Sequence, residues 1–216
     1  MNEALANALV ALKKNRFDVY FAENKEEARE IALELLPEGA SCAVGGSATL
    51  EQLGLLADLR SGKYRFIDRY DFASQEEREE KLRLGLTADV FLMSSNAVTE
   101  DGLLYNVDGR GNRIAALGHG PKSVIVIAGR NKIVPTLADA VLRVKTVAAP
   151  LNAKRLNCGT YCQEKGHCLS VDQGCAENMT AGCASRRRIC SKFSIEGMQF
   201  IPNRIKVILV DDDLGF

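Results

Sequence analysis

The sequence predicts an α/β fold built on a mostly parallel sheet. Three observations predict it. Apolar runs at 40–44, 89–94 and 123–128 are too short for helices and do not alternate, as in strands buried on both faces. Segments of helical periodicity alternate with them, which implies βαβ units. The composition, 46% hydrophobic and 26% charged over 216 residues, is that of an ordinary globular chain.

The elements follow in order. Residues 2–14 read as a helix, with Leu5, Leu9, Val10 and Leu12 near one face and Lys13 and Lys14 closing it. Phe17–Ala22 alternates like a strand. Asn24 can cap a helix carrying Ala28, Ile31, Ala32, Leu35 and Leu36, which stops near Pro37 and Gly39. A strand at 40–44 runs through Gly45-Gly46-Ser47 into a helix at about 49–59. A strand at 64–67 and a highly charged helix at 74–86 follow, the latter a solvated face laced with i,i+4 ion pairs. After the strand at 89–94, the turn signals Asp101-Gly102 and Asp108-Gly109 predict a small antiparallel insertion within 95–117. The strand at 123–128 leads to a helix at 136–147. Past Ala149-Pro150 the pattern dissolves into a cysteine-rich segment, about 151–193, and 198–202 and 204–210 read as paired strands. The expected organisation is one domain spanning 1–216.

Lys plus Arg and Asp plus Glu both number 28, so formal net charge is zero. Bulk attraction to nucleic acid or anionic lipid is therefore not expected. No apolar run approaches the ~20 residues of a membrane span, and the first residues lack the order of a secretory signal. The expectation is a cytoplasmic protein with no membrane or nucleic-acid partner.

In that setting the cysteines point to metal or redox chemistry rather than structural disulfides. Of seven, six fall between Cys158 and Cys190. No C-x-x-C pair is present, so a zinc ribbon is excluded and ferredoxin spacings fit poorly. Clustered thiolates favour zinc or iron–sulfur, and Arg186-Arg187-Arg188 is expected to lower nearby thiol pKa values. His167 is a candidate extra ligand. Reduced thiols in a loop, or disulfides formed in air, are the plainer alternatives.

Gly45, Gly46, Ser47 and Thr49 form a small-residue turn between a strand and a helix start, where backbone N–H groups and hydroxyls suit a phosphate or carboxylate. The plainer reading makes Thr49 an N-cap, with Gln52 completing a capping box. The polar run 94–102 leaves the carboxyl end of a buried strand, where open α/β sheets bind ligands. It supplies Asn96 and Thr99, with Asn106 and Asp108 facing them; turn formation alone would also explain it. Asn131-Lys132 leaves its strand in the same way and brings a cation, or a solvated lysine, to that edge. Spacing supports no Ser–His–Asp or Cys–His arrangement.

Gly45-Gly-Ser-Ala-Thr-Leu-Glu-Gln-Leu-Gly54, Ser95-Asn-Ala-Val-Thr-Glu-Asp-Gly102, Tyr105-Asn-Val-Asp-Gly-Arg-Gly-Asn-Arg113, Gly120-Pro-Lys122, Gly129-Arg-Asn-Lys132, Ala149-Pro-Leu-Asn-Ala-Lys-Arg155 and the ending Arg204–Phe216 stand in order. Together they resemble the LUD domain, the family of lactate-utilisation protein C and its uncharacterised relatives, over nearly the whole chain. The resemblance implies a Rossmann-like three-layer α/β/α fold, similar to sugar-phosphate isomerases, deaminases and CoA-transferases, with Gly45–Thr49 as the anion loop. It implies a role in oxidising L-lactate to pyruvate beside iron–sulfur partner subunits. Short relatives carry a T-P-C-x5-C-x2-C-x6-C cluster. Thr160-Tyr161-Cys162, Cys168 and Cys183-x6-Cys190 match three of those features, with Tyr161 replacing proline and 169–182 resembling an insertion around Cys175. The implied metal quartet is Cys162, Cys168, Cys183 and Cys190, holding an iron–sulfur cluster or zinc.

Where related isomerases and deaminases place a carboxylate, this chain has Ser95 and Asn96, and no glutamate matches a CoA-transferase nucleophile. Glu100 and Asp101 are the nearest candidate catalytic carboxylates. Three readings follow: a lactate-utilisation protein binding a small carboxylate or phosphate, a stand-alone enzyme on a sugar phosphate or acyl-CoA with Glu100 or Asp101 as base, and a non-catalytic metal-binding scaffold subunit.

Overall fold

The computed structural model describes residues 2–216; Met1, first residue of the expected span, lies outside them. Six strands form one parallel sheet. β1 (Asp18–Ala22), β2 (Ser41–Val44), β3 (Arg65–Phe66), β4 (Val90–Met93), β7 (Ser123–Gly129) and β10 (Ile205–Val210) stand in the order β1-β10-β7-β4-β2-β3. A second, mixed sheet joins β5 (Ala97–Thr99), β6 (Leu104–Asp108), β8 (Ile133–Val134) and β9 (Lys192–Glu196) in the order β8-β5-β6-β9.

The unbroken apolar strands have a simple cause: both faces are covered. Ile125 and Ile127 of β7 point into a core with Val44, Leu92, Ile208 and Val210, beneath α2 (Lys25–Glu34), α3 (Ala48–Gln52) and α4 (Leu55–Leu59). Val124, Val126 and Ala128 point the other way, into a core with Phe91, Met93, Val207 and Leu209, beneath α1 (Glu3–Lys14) and α6 (Asn112–Gly118). Asn2, Asn24 and Ser74 cap α1, α2 and α5 (Gln75–Leu84) through side-chain oxygens. Cys42 is buried in the first core, and burial pushes its thiol up to about 11.

Several local expectations are corrected. The helix expected at 49–59 is broken into α3 and α4 by Gly54, whose φ is +73°. The stretch 95–117 holds helix α6 as well as β5 and β6. The helix expected at 136–147 does not stop there: α7 (Leu137–Arg143) passes through a widened π-type turn at 144–148 into α8 (Ala149–Arg155). Pro150 cannot donate to the preceding turn, and the widened turn lets the chain continue regardless. The segment 198–202 is not a strand. Phe200 there is 93% exposed, and β10 pairs instead with β1 and β7 in the middle of the parallel sheet. β9 supplies the outer strand of the insertion, paired with β6. Within the cysteine segment lie two short helices, α9 (Tyr161–Lys165) and α10 (Leu169–Asp172). No helix among the described residues is long and apolar enough to cross a membrane.

Candidate functional site: a cationic cleft at the carboxyl edge of the sheet

Parallel strands all end on one edge, and the ends of β2, β4, β7 and β10 gather there. Gly45 N donates to Leu92 O at 2.9 Å, placing the glycine turn beside the Ser94–Asn96 corner. The same edge receives Asn131 and Lys132 after β7. A cavity of about 220 Å³ opens between these corners.

Its lining is strongly cationic. Arg69, Arg78, Arg110, Arg113, Arg155 and Lys132 face it, against one acidic side chain, that of Asp108. Asp108 is engaged already, accepting from the Arg113 backbone N–H and from Nε, both at 3.0 Å. Arg113 also donates to Ser94 O (2.6 Å), Asn96 Oδ1 (2.6 Å), Asn106 Oδ1 (2.8 Å) and Val107 O (3.0 Å). It is a clamp that fixes the cleft wall. The amide nitrogen of buried Asn106 has no hydrogen-bond partner.

Arg69 differs. It makes no ion pair among the described residues, its Nε is buried without a hydrogen-bond partner, and burial lowers its pKa. A side chain added at Gly46 would start 3.7 Å from Arg69 Nη1 and 3.8 Å from Arg155 Nη2, so two guanidinium groups converge over that glycine. This is the geometry that a carboxylate or phosphate recognises.

Lys132 lies on the cleft floor and is 2% exposed. Its Nζ donates to Ser94 Oγ at 2.8 Å and Thr49 Oγ1 at 2.9 Å. Burial, then Arg143 and Arg113, push its pKa down to about 7. Arg143 donates to Asn131 O (3.0 Å) and Asn96 O (2.6 Å), and burial lowers its own pKa to about 10.

The structure gathers Gly46, Ser47, Asn96, Asp108 and Lys132 around the cleft, with Gly45, Thr49 and Asn106 directly behind. Ser47, not Thr49, caps α3, and Gln52 accepts from Gly215 N instead of completing a capping box. Asn131 turns away and holds Leu214 and Gly215. Thr99 accepts from Leu103 N and donates to Asp101, forming a local turn. Glu100 accepts from Asn7 on α1 at 2.8 Å. Neither Glu100 nor Asp101 lines the cleft, so the expected bases do not face it. Sequence reasoning singled out none of the cleft arginines; Arg113 and Arg155 stood within the quoted motifs, unremarked, as did Arg110.

The cysteines divide. Cys162, Cys168, Cys183 and Cys190 line one small apolar cavity with Tyr105, Val144, Met179 and Phe193. Their sulfurs meet polar neighbours: Thr160 Oγ1 lies 3.3 Å from Cys162, Ser170 donates to Cys168 at 3.4 Å, and Arg188 Nε donates to Cys190 at 3.2 Å. Burial outweighs Arg188, so the Cys190 thiol is raised, as is that of Cys162. The expected lowering by the arginine run is thus overturned at Cys190. His167 is engaged with Asp172 at 2.8 Å, and Cys158 and Cys175 lie outside this cavity. No group of three or more His, Cys, Asp or Glu among the described residues is already drawn together as a metal site.

Fold and cleft together define an α/β domain with a cationic cleft at the carboxyl edge of its sheet. The LUD domain model matches residues 5–210, and the chain belongs to the LUD domain family, a family of lactate-utilisation-related domains. A DUF162 family protein from Deinococcus radiodurans shares the fold: TM-score 0.52, 17% identity, 96% of each chain covered. eIF2B delta from Chaetomium thermophilum aligns over 49% of this chain and 46% of its own, at 19% identity and a TM-score of 0.30. None of the curated proteins matches the chain.

Proposed function

We propose that this chain is a lactate-utilisation protein whose cleft binds a small organic anion, a carboxylate or phosphate. One observation carries the reading: Arg69 and Arg155 converge over Gly46 in a cavity where the only acidic side chain among the described residues, Asp108, is already held by Arg113. The partners suggested by the family are iron–sulfur subunits that oxidise L-lactate to pyruvate. Calorimetric titration with L-lactate, pyruvate and inorganic phosphate tests the cleft. Saturable heat from at least one of the three is expected; no heat from any contradicts the reading.

A second observation favours a metal centre, iron–sulfur or zinc, at Cys162, Cys168, Cys183 and Cys190. Four soft ligands already line one apolar cavity, and the Ser170 hydroxyl and Arg188 guanidinium donate to two of the sulfurs, those of Cys168 and Cys190. Binding would require the four thiols to turn inward and lose their protons. Anaerobic purification followed by iron, zinc and acid-labile sulfide assay tests it. Bound metal that is lost on Cys162→Ser and kept on Cys175→Ser is expected; absence of metal contradicts it.

The alternative of catalysis by Glu100 or Asp101 on a sugar phosphate or acyl-CoA is disfavoured, because both carboxylates lie off the cleft.

A further inference from the structure

We propose that Lys132 forms an imine with a short 2-oxo carboxylate held in the cationic cleft; this deepens the anion-binding reading and rests on it.

The geometry around the amine is specific. Lys132 lines the cavity yet is almost wholly buried. No carboxylate among the described residues forms an ion pair with it, and its two hydrogen bonds run to hydroxyls, Thr49 Oγ1 and Ser94 Oγ. Those hydroxyls have carbonyl acceptors of their own, Leu214 O at 3.4 Å and Ser95 O at 3.3 Å, leaving lone pairs for Nζ. A neutral amine has two hydrogens and one lone pair. The two hydroxyls take the hydrogens, and the lone pair is the position left on nitrogen. The charges of Arg113 and Arg143 disfavour the ammonium further. A desolvated lysine beside other cations is the recognised way to make this side chain nucleophilic at neutral pH.

The ligand class follows from what surrounds the amine. Nitrogen demands an electrophilic carbonyl. The convergent guanidiniums of Arg69 and Arg155 demand a carboxylate. A cavity of about 220 Å³ keeps the acid short. In the reaction, Nζ attacks the carbonyl carbon and the carbonyl π pair moves to oxygen, which takes a proton. The carbinolamine nitrogen gives up its protons, the hydroxyl leaves as water, and a C=N bond remains. The carboxylate is untouched, and no oxidant or reductant is needed. Thr49 and Ser94 are placed to relay protons at nitrogen.

The test uses the full chain with pyruvate as probe. The protein is treated with borohydride in the presence of pyruvate, digested and mapped by mass spectrometry. The expected result is a reduced adduct on Lys132, enriched on the order of a hundredfold over exposed lysines such as Lys122 and Lys165. Inorganic phosphate should suppress it by competition, and Lys132→Arg should not acquire it. Because the mapping and the competition are read on the unaltered protein, a misfolded variant does not blunt the test. Pyruvate binding by calorimetry with no adduct on Lys132, or with adduct spread evenly over surface lysines, overturns the imine and leaves the cleft reading intact. Absence of any anion binding overturns both.

Discussion

Lys132 is a buried amine in the cleft lining, held by two hydroxyls. In the unfolded chain its amine keeps its proton to about 10.5; in the fold, burial and then Arg143 and Arg113 move release down to about 7. Between those values the unfolded state binds more protons, so this group's contribution makes stability rise with pH across that window. Below about pH 7 both states are protonated, and the full cost of a buried charge is present. Arg113 from α6 and Arg143 from α7 face the amine, together with the hydroxyls of Thr49 and Ser94. Lys132→Met removes the titration while keeping the volume. Urea unfolding at intervals between pH 6 and 10 should show the variant gaining on the wild type as pH falls. A difference that does not change with pH would contradict the assigned burial. The sequence alone could place this lysine at the sheet edge but could not tell it from a solvated one. What buries it comes from α3, β4 and the 212–216 segment, far apart in the chain.

At the scale of elements, Arg113 joins α6 to β6 and to the corner after β4. It is 9% exposed, and its guanidinium engages Asp108, Asn106, Asn96 and two backbone carbonyls. Arg113→Met leaves Asp108 uncompensated and should cost about 3–5 kcal/mol of unfolding free energy. Arg113→Lys should recover little, since an ammonium cannot reproduce a planar fork. Thermal unfolding of both variants checks this, and a loss within about 0.5 kcal/mol, the range of an ordinary surface change, would show that the clamp carries no weight. The helix that carries this arginine was not legible in the sequence. Asp108-Gly109 and Gly111-Asn112 read as hairpin turns, whereas Gly111 at φ +93° starts a helix whose first turn is held by Asp108. The parallel strands were legible, because a strand covered on both faces is apolar throughout. β8 and β9 were not, because they are short and half-exposed and pair only with the insertion.

Across the whole molecule, charge is balanced, but its placement is not. Lysines and arginines equal aspartates and glutamates in number, yet six cationic side chains and one acidic one line the cleft. Composition therefore held no hint of a cationic cleft, because the asymmetry arises only when Arg69, Arg113 and Arg155 are brought to one edge. The turn Gly45–Ser47 did point there, and Gly46 shows why: only a residue without a side chain leaves the space between Arg69 and Arg155 open. That Cys162, Cys168, Cys183 and Cys190 line one cavity was not legible from spacing, since the chain between Cys168 and Cys183 must fold back to bring them there.

If an anion sits over Gly46 between two guanidiniums, Gly46→Asp should displace it. The new carboxylate would occupy the ligand's place from within the chain, next to Arg69 and Arg155, without a positive φ to strain the backbone. Thermal unfolding and calorimetry should be read side by side on wild type and variant. The expected result is a folded variant, at least as stable as the ligand-free wild type, with affinity for the bound anion reduced at least about tenfold through loss of a charge-assisted contact. A folded variant that binds the same anion with unchanged affinity would contradict it.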